Sequence, residues 1–130
     1  MKTITTWKTK HEFESKQNHT TIRLDGDKEN GFSPKALLLS GLAGCSGIDV
    51  VDILVKMKVS FSDFVIEVET EQTEEHPKVF KEILVTYTIK TEAANEEKII
   101  KAINLSLDKY CGVSAMLRKN SPVNFKLVIK

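Results

Sequence analysis

The chain has 130 residues, of which 41% are hydrophobic and 28% charged, and its 19 basic and 18 acidic residues give a formal net charge of +1. These proportions are ordinary for a globular protein, and the length of 130 residues fits a single domain over residues 1–130. The nearly neutral charge gives no electrostatic basis for binding nucleic acid or an anionic membrane surface. Because the first residues contain no apolar stretch typical of a signal peptide, we expect a cytoplasmic protein.

The first part of the chain predicts three short strands. Residues 3–7, about 10–16 and 19–24 are rich in Thr, Ile, Phe and Trp. An Asp-Gly pair follows the third of these segments, and residues 27–31 have the polar composition of a surface loop.

A long apolar helix is predicted next. Ser33 and Pro34 have the form of a helix start, a capping hydroxyl followed by a proline in the first turn. From there to about Met57 the residues are mostly apolar. A helix that is apolar nearly all round is buried on most sides. Because Asp49 and Asp52 interrupt its second half, we expect it not to span a membrane.

The rest of the chain predicts two strands, a second helix and a final strand. Apolar and polar residues alternate in 64–68 and 82–89, which favours two strands joined by a long hairpin across 73–78. A helix is predicted from Asn95 to Lys119, and alternation returns in 123–130. This order predicts an α+β fold. Since the first helix is too apolar for one small sheet to cover, we also expect a dimer.

Two cysteines, each beside glycine, are the candidate reactive groups. Cys45 lies among Gly41, Gly44 and Gly47, and Cys111 precedes Gly112. An interior glycine costs a helix about 0.8–1.0 kcal/mol relative to alanine, so we expect these bare surfaces to admit a second backbone or a small substrate. If the two helices pack through them, the Cα atoms can come within the roughly 7 Å that a disulfide requires.

Other interpretations of the polar residues remain open or are disfavoured. Free cysteine is often a buried, inert core residue, and periodicity alone favours neither this interpretation nor a redox pair. A permanent structural disulfide is not expected in a cytoplasmic protein. The three histidines, His11, His19 and His76, show no metal-binding spacing with one another or with the cysteines, so we expect no metal site.

Two segments together resemble a known family. "FSPKALLLSGLAGCSGIDVVDIL" (32–54) and "LSLDKYCGVSAML" (105–117) are similar to the OsmC/Ohr family of osmotically inducible and organic hydroperoxide resistance proteins, in particular its YhfA-type branch. The resemblance implies one OsmC-like domain in an intertwined homodimer. It also implies two long central helices flanked by antiparallel sheets, with active sites near the dimer interface.

The resemblance further implies a cysteine-based peroxidase that acts on organic or inorganic hydroperoxides. Cys45 matches the peroxidatic cysteine, which is oxidised to a sulfenic acid, and Cys111 matches the resolving cysteine, which forms a disulfide with it. An external dithiol then reduces the disulfide. No bound cofactor is expected.

The chain departs from the family pattern at two charged positions. Family enzymes carry a glutamate directly after the helix-start proline, where this chain has Lys35, and an arginine that cannot be placed on Arg23 or Arg118 by alignment. Arg118 is the candidate cation beside the thiolate, and Asp49 and Tyr110 are candidate pocket residues. The alternative function is therefore a non-peroxidase dimer that binds a small apolar or thiol-reactive metabolite.

Overall fold

The computed structural model describes all residues, Met1–Lys130. They form two compact units, Met1–Leu39 and Ser40–Lys130. The elements confirm the predicted α+β class. The two cysteines both lie in the second unit, which therefore contains the candidate site.

The first unit contains an antiparallel sheet with its strands in chain order, β1 (Ile4–Thr9), β2 (Glu12–Gln17) and β3 (Thr20–Asp25). The three predicted strands are confirmed. At the end of β3 the Asp25 carboxylate accepts backbone N–H groups of Asp27 at 2.8 Å and Asn30 at 3.0 Å. These bonds organise the predicted loop and lower the pKa of Asp25.

Helix α1 (Pro34–Lys56) confirms the predicted apolar helix. Its buried residues recur every fourth position, as expected for one face of a helix: Leu42, Ser46, Val50 and Leu54. The other sides remain largely exposed in the single chain, with Ile48 66% and Val55 63% accessible. The helix therefore buries a narrow stripe and leaves much apolar surface uncovered.

By length and composition α1 would also qualify as a membrane-spanning helix, because it has 23 residues and a mean hydropathy of 1.7 in its most apolar window. Helix α1 meets this criterion even though it contains Asp49 and Asp52. Core helices of soluble proteins meet the same criterion, so this property alone does not decide between the two.

The second sheet has the order β4 (Ser62–Gln72), β5 (Phe80–Lys90) and β6 (Val123–Ile129). The predicted hairpin between β4 and β5 is confirmed by their antiparallel register. The first sheet is antiparallel throughout, as the resemblance implied, whereas the second is mixed, because β6 runs parallel to β5. A helical crossover between these two strands returns the chain to the end of the sheet where β5 began, which makes the pair parallel.

The crossover also corrects the predicted second long helix. It consists of α2 (Glu96–Leu105), a π turn (Ser106–Tyr110) and α3 (Gly112–Arg118). The N–H of Cys111 donates to the carbonyl of Ser106, five residues back, at 2.7 Å. Cys111 itself has φ −76° and ψ 104°, an extended conformation that ends one helix before the next begins.

The core of the second unit is organised around β5. Its inward residues are Ile83, Val85, Tyr87 and Ile89, and all four are buried. The ring of Tyr87 stacks on Phe64 with centroids 6.3 Å apart and meets Phe125 edge-on at 6.2 Å. Tyr87 thereby joins all three strands of the sheet and places its hydroxyl beneath α1.

A polar core network connects Tyr87 to α1 and the π turn. The Tyr87 and Ser46 hydroxyl oxygens are 2.6 Å apart, and Ser106 Oγ lies 2.9 Å from Ser46 Oγ and 3.0 Å from Asp49 Oδ2. The Ser106 hydroxyl is the donor toward both Asp49 and Ser46, and the Asp49 carboxylate is the stronger acceptor for its one proton. The hydroxyls of Ser46 and Tyr87 are bonded to each other. The network satisfies three fully buried hydroxyl groups.

We predict that Ser46→Ala lowers the free energy of unfolding by about 1–3 kcal/mol, because the buried Tyr87 hydroxyl loses its hydrogen-bond partner. Adding Tyr87→Phe removes the orphaned hydroxyl, so the double variant loses less than the sum of the two single losses. Urea unfolding measures these differences, with exposed Ser62→Ala as the control. Equal stability of the Ser46→Ala and Ser62→Ala proteins contradicts the prediction.

Candidate thiol site

The two cysteines come together in the second unit. The Cys45 thiol is close enough to Cys111 to raise the pKa of the Cys111 thiol. Both are free thiols. Cys45 lies on α1, whereas Cys111 occupies the break between the π turn and α3. The fold thus brings together two sulfur atoms from distant parts of the chain.

The two thiols have unequal environments. Cys45 is partly exposed, whereas only 3% of Cys111 is accessible. Burial raises the pKa of Cys111 to about 11, and the nearby Cys45 acts in the same direction. Hydrogen bonds from the backbone N–H groups of Ser114 and Val113 oppose the increase. Cys111 is therefore protonated at neutral pH, and Cys45 is the sulfur more accessible to solvent.

Cys111 is also the N-cap of α3. Its sulfur accepts the N–H of Ser114 at 3.3 Å, and its carbonyl accepts the N–H of Ala115 at 3.1 Å. Its own N–H donates to Ser106. Because its backbone groups and its sulfur all have partners, the position of Cys111 is well defined before any reaction.

Arg118 binds oxygen atoms around this cap. Its Nη1 donates to the Leu107 carbonyl at 3.0 Å and to Asp108 Oδ1 at 2.7 Å, and its Nη2 donates to the Val123 carbonyl at 3.3 Å. These bonds join the π turn, the end of α3 and the start of β6. Arg118 therefore has a clear structural role, and its expected support of a thiolate stays a prediction.

The other candidate residues fall into two places. Asp49 and Tyr110 line one groove of about 400 Å³ between α1 and the π turn, so the structure brings these two expected pocket residues together. The remaining lining residues are Asp52, Ile53, Lys56, Met57 and Leu105. Lys35 is exposed in the first turn of α1 and belongs to the first compact unit.

Within one chain, the glycines beside the cysteines do not bring the two cysteine-bearing segments into contact. A Cβ added at Gly47 would lie 2.9 Å from Ile66 Cδ1, so this glycine does permit close packing of α1 on β4. A Cβ at Gly41, Gly44 or Gly112 would meet nothing within 4 Å. The expectation that glycine faces join the two cysteine helices is therefore wrong.

Two serines make the contact that was assigned to the glycines. Ser46 and Ser106, both fully buried, connect the segments that carry Cys45 and Cys111. The sequence analysis missed Ser106 and Tyr87. The available signal was a serine on each apolar helix face, since a hydroxyl group there needs a buried partner. The chain has no group of three or more His, Cys, Asp or Glu side chains that could hold a metal ion.

The chain matches known proteins over most of its length. Residues 9–126 match the OsmC-like protein family. Protein YhfA of Escherichia coli (strain K12) is 34% identical over 107 residues, which cover 82% of this chain and 79% of that protein. The crystal structure of a hypothetical protein from Aquifex aeolicus VF5 is 28% identical and covers 99% of this chain and 96% of its own, with a TM-score of 0.85.

The fold is also shared with a protein named for hydroperoxide resistance. The organic hydroperoxide resistance protein OhrB of Bacillus subtilis is 20% identical, covers 97% of this chain and 96% of its own, and gives a TM-score of 0.66. The chain therefore shares the fold of OsmC and Ohr proteins. Together with the sequence match, this similarity confirms the resemblance of the two cysteine motifs: the chain belongs to the OsmC-like protein family.

Proposed function

We propose that the protein is a dithiol peroxidase that reduces organic or inorganic hydroperoxides. The observation that carries this proposal is the proximity of two thiols of unequal exposure, on segments joined by the Ser46–Ser106 hydrogen bond. Membership of a family that includes organic hydroperoxide resistance proteins supports the same chemistry. Cys45 is the peroxidatic residue and Cys111 the resolving residue.

The reaction proceeds through two displacements at sulfur and oxygen. The Cys45 thiolate attacks the terminal peroxide oxygen, the O–O bond breaks, and an alcohol or water leaves after taking up a proton. Cys111 then attacks the sulfur of the Cys45 sulfenic acid, so that an S–S bond forms and water leaves. A dithiol reductant from outside the protein restores both thiols and is itself oxidised to a disulfide.

The environments of the two sulfurs suit these roles. Cys45 has the exposure that an attacking peroxide needs. Burial and the nearby Cys45 both raise the pKa of Cys111, so Cys111 stays a thiol while Cys45 meets the peroxide. Because Cys111 is buried, it does not meet the peroxide itself and reacts only with the sulfenic acid that forms on Cys45.

A second candidate function is a non-peroxidase dimer that binds a small apolar or thiol-reactive metabolite. Two observations favour it: the family glutamate position holds Lys35, and the Arg118 guanidinium binds two backbone carbonyls and Asp108. Calorimetry on candidate metabolites separates the functions. Affinity that survives in Cys45→Ser supports the binding function, whereas loss of all activity with that one sulfur supports the peroxidase.

We further propose that the active form is a cytoplasmic homodimer that buries the exposed side of α1. An open groove of about 520 Å³ runs along this side and over the edge of β4. Its lining is almost entirely apolar: Ala43, Gly44, Gly47, Ile48, Val51, Asp52, Phe64 and Ile66. Soluble monomers rarely leave a large continuous apolar surface uncovered, which supports pairing with a second copy.

We predict that reduced protein mixed with cumene hydroperoxide loses two thiols and about 2 Da, as expected for one disulfide. The matched variants separate the steps. Cys111→Ser stops at the sulfenic acid and gains about 16 Da, whereas Cys45→Ser does not react under the same conditions. Mass spectrometry of the intact protein measures both changes. An unchanged thiol count after an hour in excess peroxide contradicts the peroxidase.

We predict that conversion of the sulfenic acid to the disulfide accelerates about tenfold per pH unit between roughly pH 7 and pH 9. Because the pKa of Cys111 is raised to about 11, the whole range from pH 7 to pH 9 lies below it. The fraction of Cys111 present as thiolate therefore still increases with pH over this range. Acid quenching followed by mass spectrometry measures the rate. A plateau at about pH 8.5, the ordinary cysteine pKa, contradicts the assigned environment.

We predict that Gly44→Ala weakens the dimer about tenfold or more, because the added methyl group meets the partner chain. In a monomer the same change meets nothing within 4 Å and stabilises α1 by about 0.8–1.0 kcal/mol. Analytical ultracentrifugation and thermal unfolding measure the two effects, with exposed Lys98→Ala on α2 as the control. Increased stability with unchanged assembly shows that this face of α1 is not the interface.

A further inference from the structure

We infer that Ser106 is a positioning residue that holds the two thiols within reach of each other. This inference rests on the proposed dithiol chemistry and goes beyond it by assigning a role to a residue outside the cysteine pair. Ser106 is fully buried and contacts both segments that carry a thiol, one through its side chain and one through its backbone.

The side chain of Ser106 binds the segment of α1 that contains Cys45. Its Oγ lies 2.9 Å from the hydroxyl of Ser46 and 3.3 Å from the carbonyl of Ser46, the residue after Cys45. It also lies 3.0 Å from Oδ2 of Asp49, one helical turn further along. Three oxygen atoms of α1 thus surround one hydroxyl group, which defines both the height and the rotation of α1 beside the π turn.

The backbone of Ser106 binds Cys111. Its carbonyl accepts the Cys111 N–H at 2.7 Å across the π turn. This bond spans one residue more than an α-helical bond and leads directly into the extended conformation of Cys111. A single buried residue therefore sets the position of both cysteine backbones, with a polar contact to each side.

The chemical consequence concerns the closure of the disulfide. When Cys111 displaces the hydroxyl group of the Cys45 sulfenic acid, one S–S bond forms and one water leaves. The yield and rate depend on the effective concentration of one sulfur at the other, which is high only if both backbones are held in place. Loss of the Ser106 hydroxyl releases α1 from the π turn and lowers that effective concentration.

The test is a redox titration of the full-length protein in mixtures of reduced and oxidised dithiothreitol, which needs no peroxide. In Ser106→Ala we expect the equilibrium constant for the Cys45–Cys111 disulfide to fall about tenfold, which makes the midpoint potential about 30 mV less negative. Ser46→Ala removes the other end of the same hydrogen bond and shifts the midpoint in the same direction. The double variant shows less than the sum of the two shifts.

The matched control is Ser121→Ala, which removes another buried serine hydroxyl that donates to a backbone carbonyl, that of Phe80, at 2.9 Å. We expect it to lower the unfolding free energy while leaving the disulfide midpoint unchanged. The inference is overturned if Ser106→Ala and Ser46→Ala lower stability as Ser121→Ala does but keep the wild-type midpoint. Should Ser106→Ala fail to fold, the midpoint of Ser46→Ala decides in the same way.

The redox titration and the peroxide assay can fail independently of each other. If the midpoint shifts as expected but excess hydroperoxide leaves the thiols intact, the peroxidase is disproved and the role of Ser106 stands. If wild-type protein forms no Cys45–Cys111 disulfide at any dithiothreitol ratio, both are disproved.

Discussion

The structure around the thiols depends on one constraint: two serine hydroxyl groups, on Ser46 and Ser106, are buried in an apolar core and must find partners there. They find each other, together with Tyr87 below and Asp49 beside them. Because successive residues of a helix point about 100° apart, the orientation of Ser46 also determines the direction of its neighbour Cys45. The hydrogen bonds that Ser46 makes in the core therefore also set the direction of the partly exposed Cys45 sulfur.

The same constraint accounts for the difference between the two thiols. The π turn that Ser106 begins is followed by an extended residue, Cys111, which is buried and caps α3. Burial removes water from its sulfur and raises its pKa, while Cys45 on α1 stays in partial contact with solvent. Two side chains of the same chemistry thus differ in exposure: Cys45 is partly exposed and Cys111 is buried. The proposed peroxidase needs this difference, because one sulfur must meet the peroxide and the other must react only afterwards.

Helix α1 connects this site to the proposed assembly. One stripe of α1 carries Ser46 into the core, and the neighbouring apolar side, with Ile48 and Val51, is left open along a groove. Burial of apolar surface is the main driving force for association. The apolar residues of α1 that are exposed in a single chain therefore favour pairing with a second copy. A second groove, lined in part by Asp49 and Tyr110, lies between α1 and the π turn.

The sequence by itself determined the elements whose signals are local. The Ser33-Pro34 start and long apolar run identified α1. Segments rich in Thr, Ile, Phe and Trp identified the strands of the first sheet, and two-residue alternation identified those of the second, because these patterns depend on neighbours along the chain. The choice of Cys45 and Cys111 as candidate site residues also came from the sequence, through two motifs that resemble those of a family. The break at Cys111, the parallel direction of β6 and the pairing of Ser46 with Ser106 were decided only by the tertiary structure. That pairing joins residues 60 positions apart, and only the packing of α1 on the crossover brings them within hydrogen-bond distance.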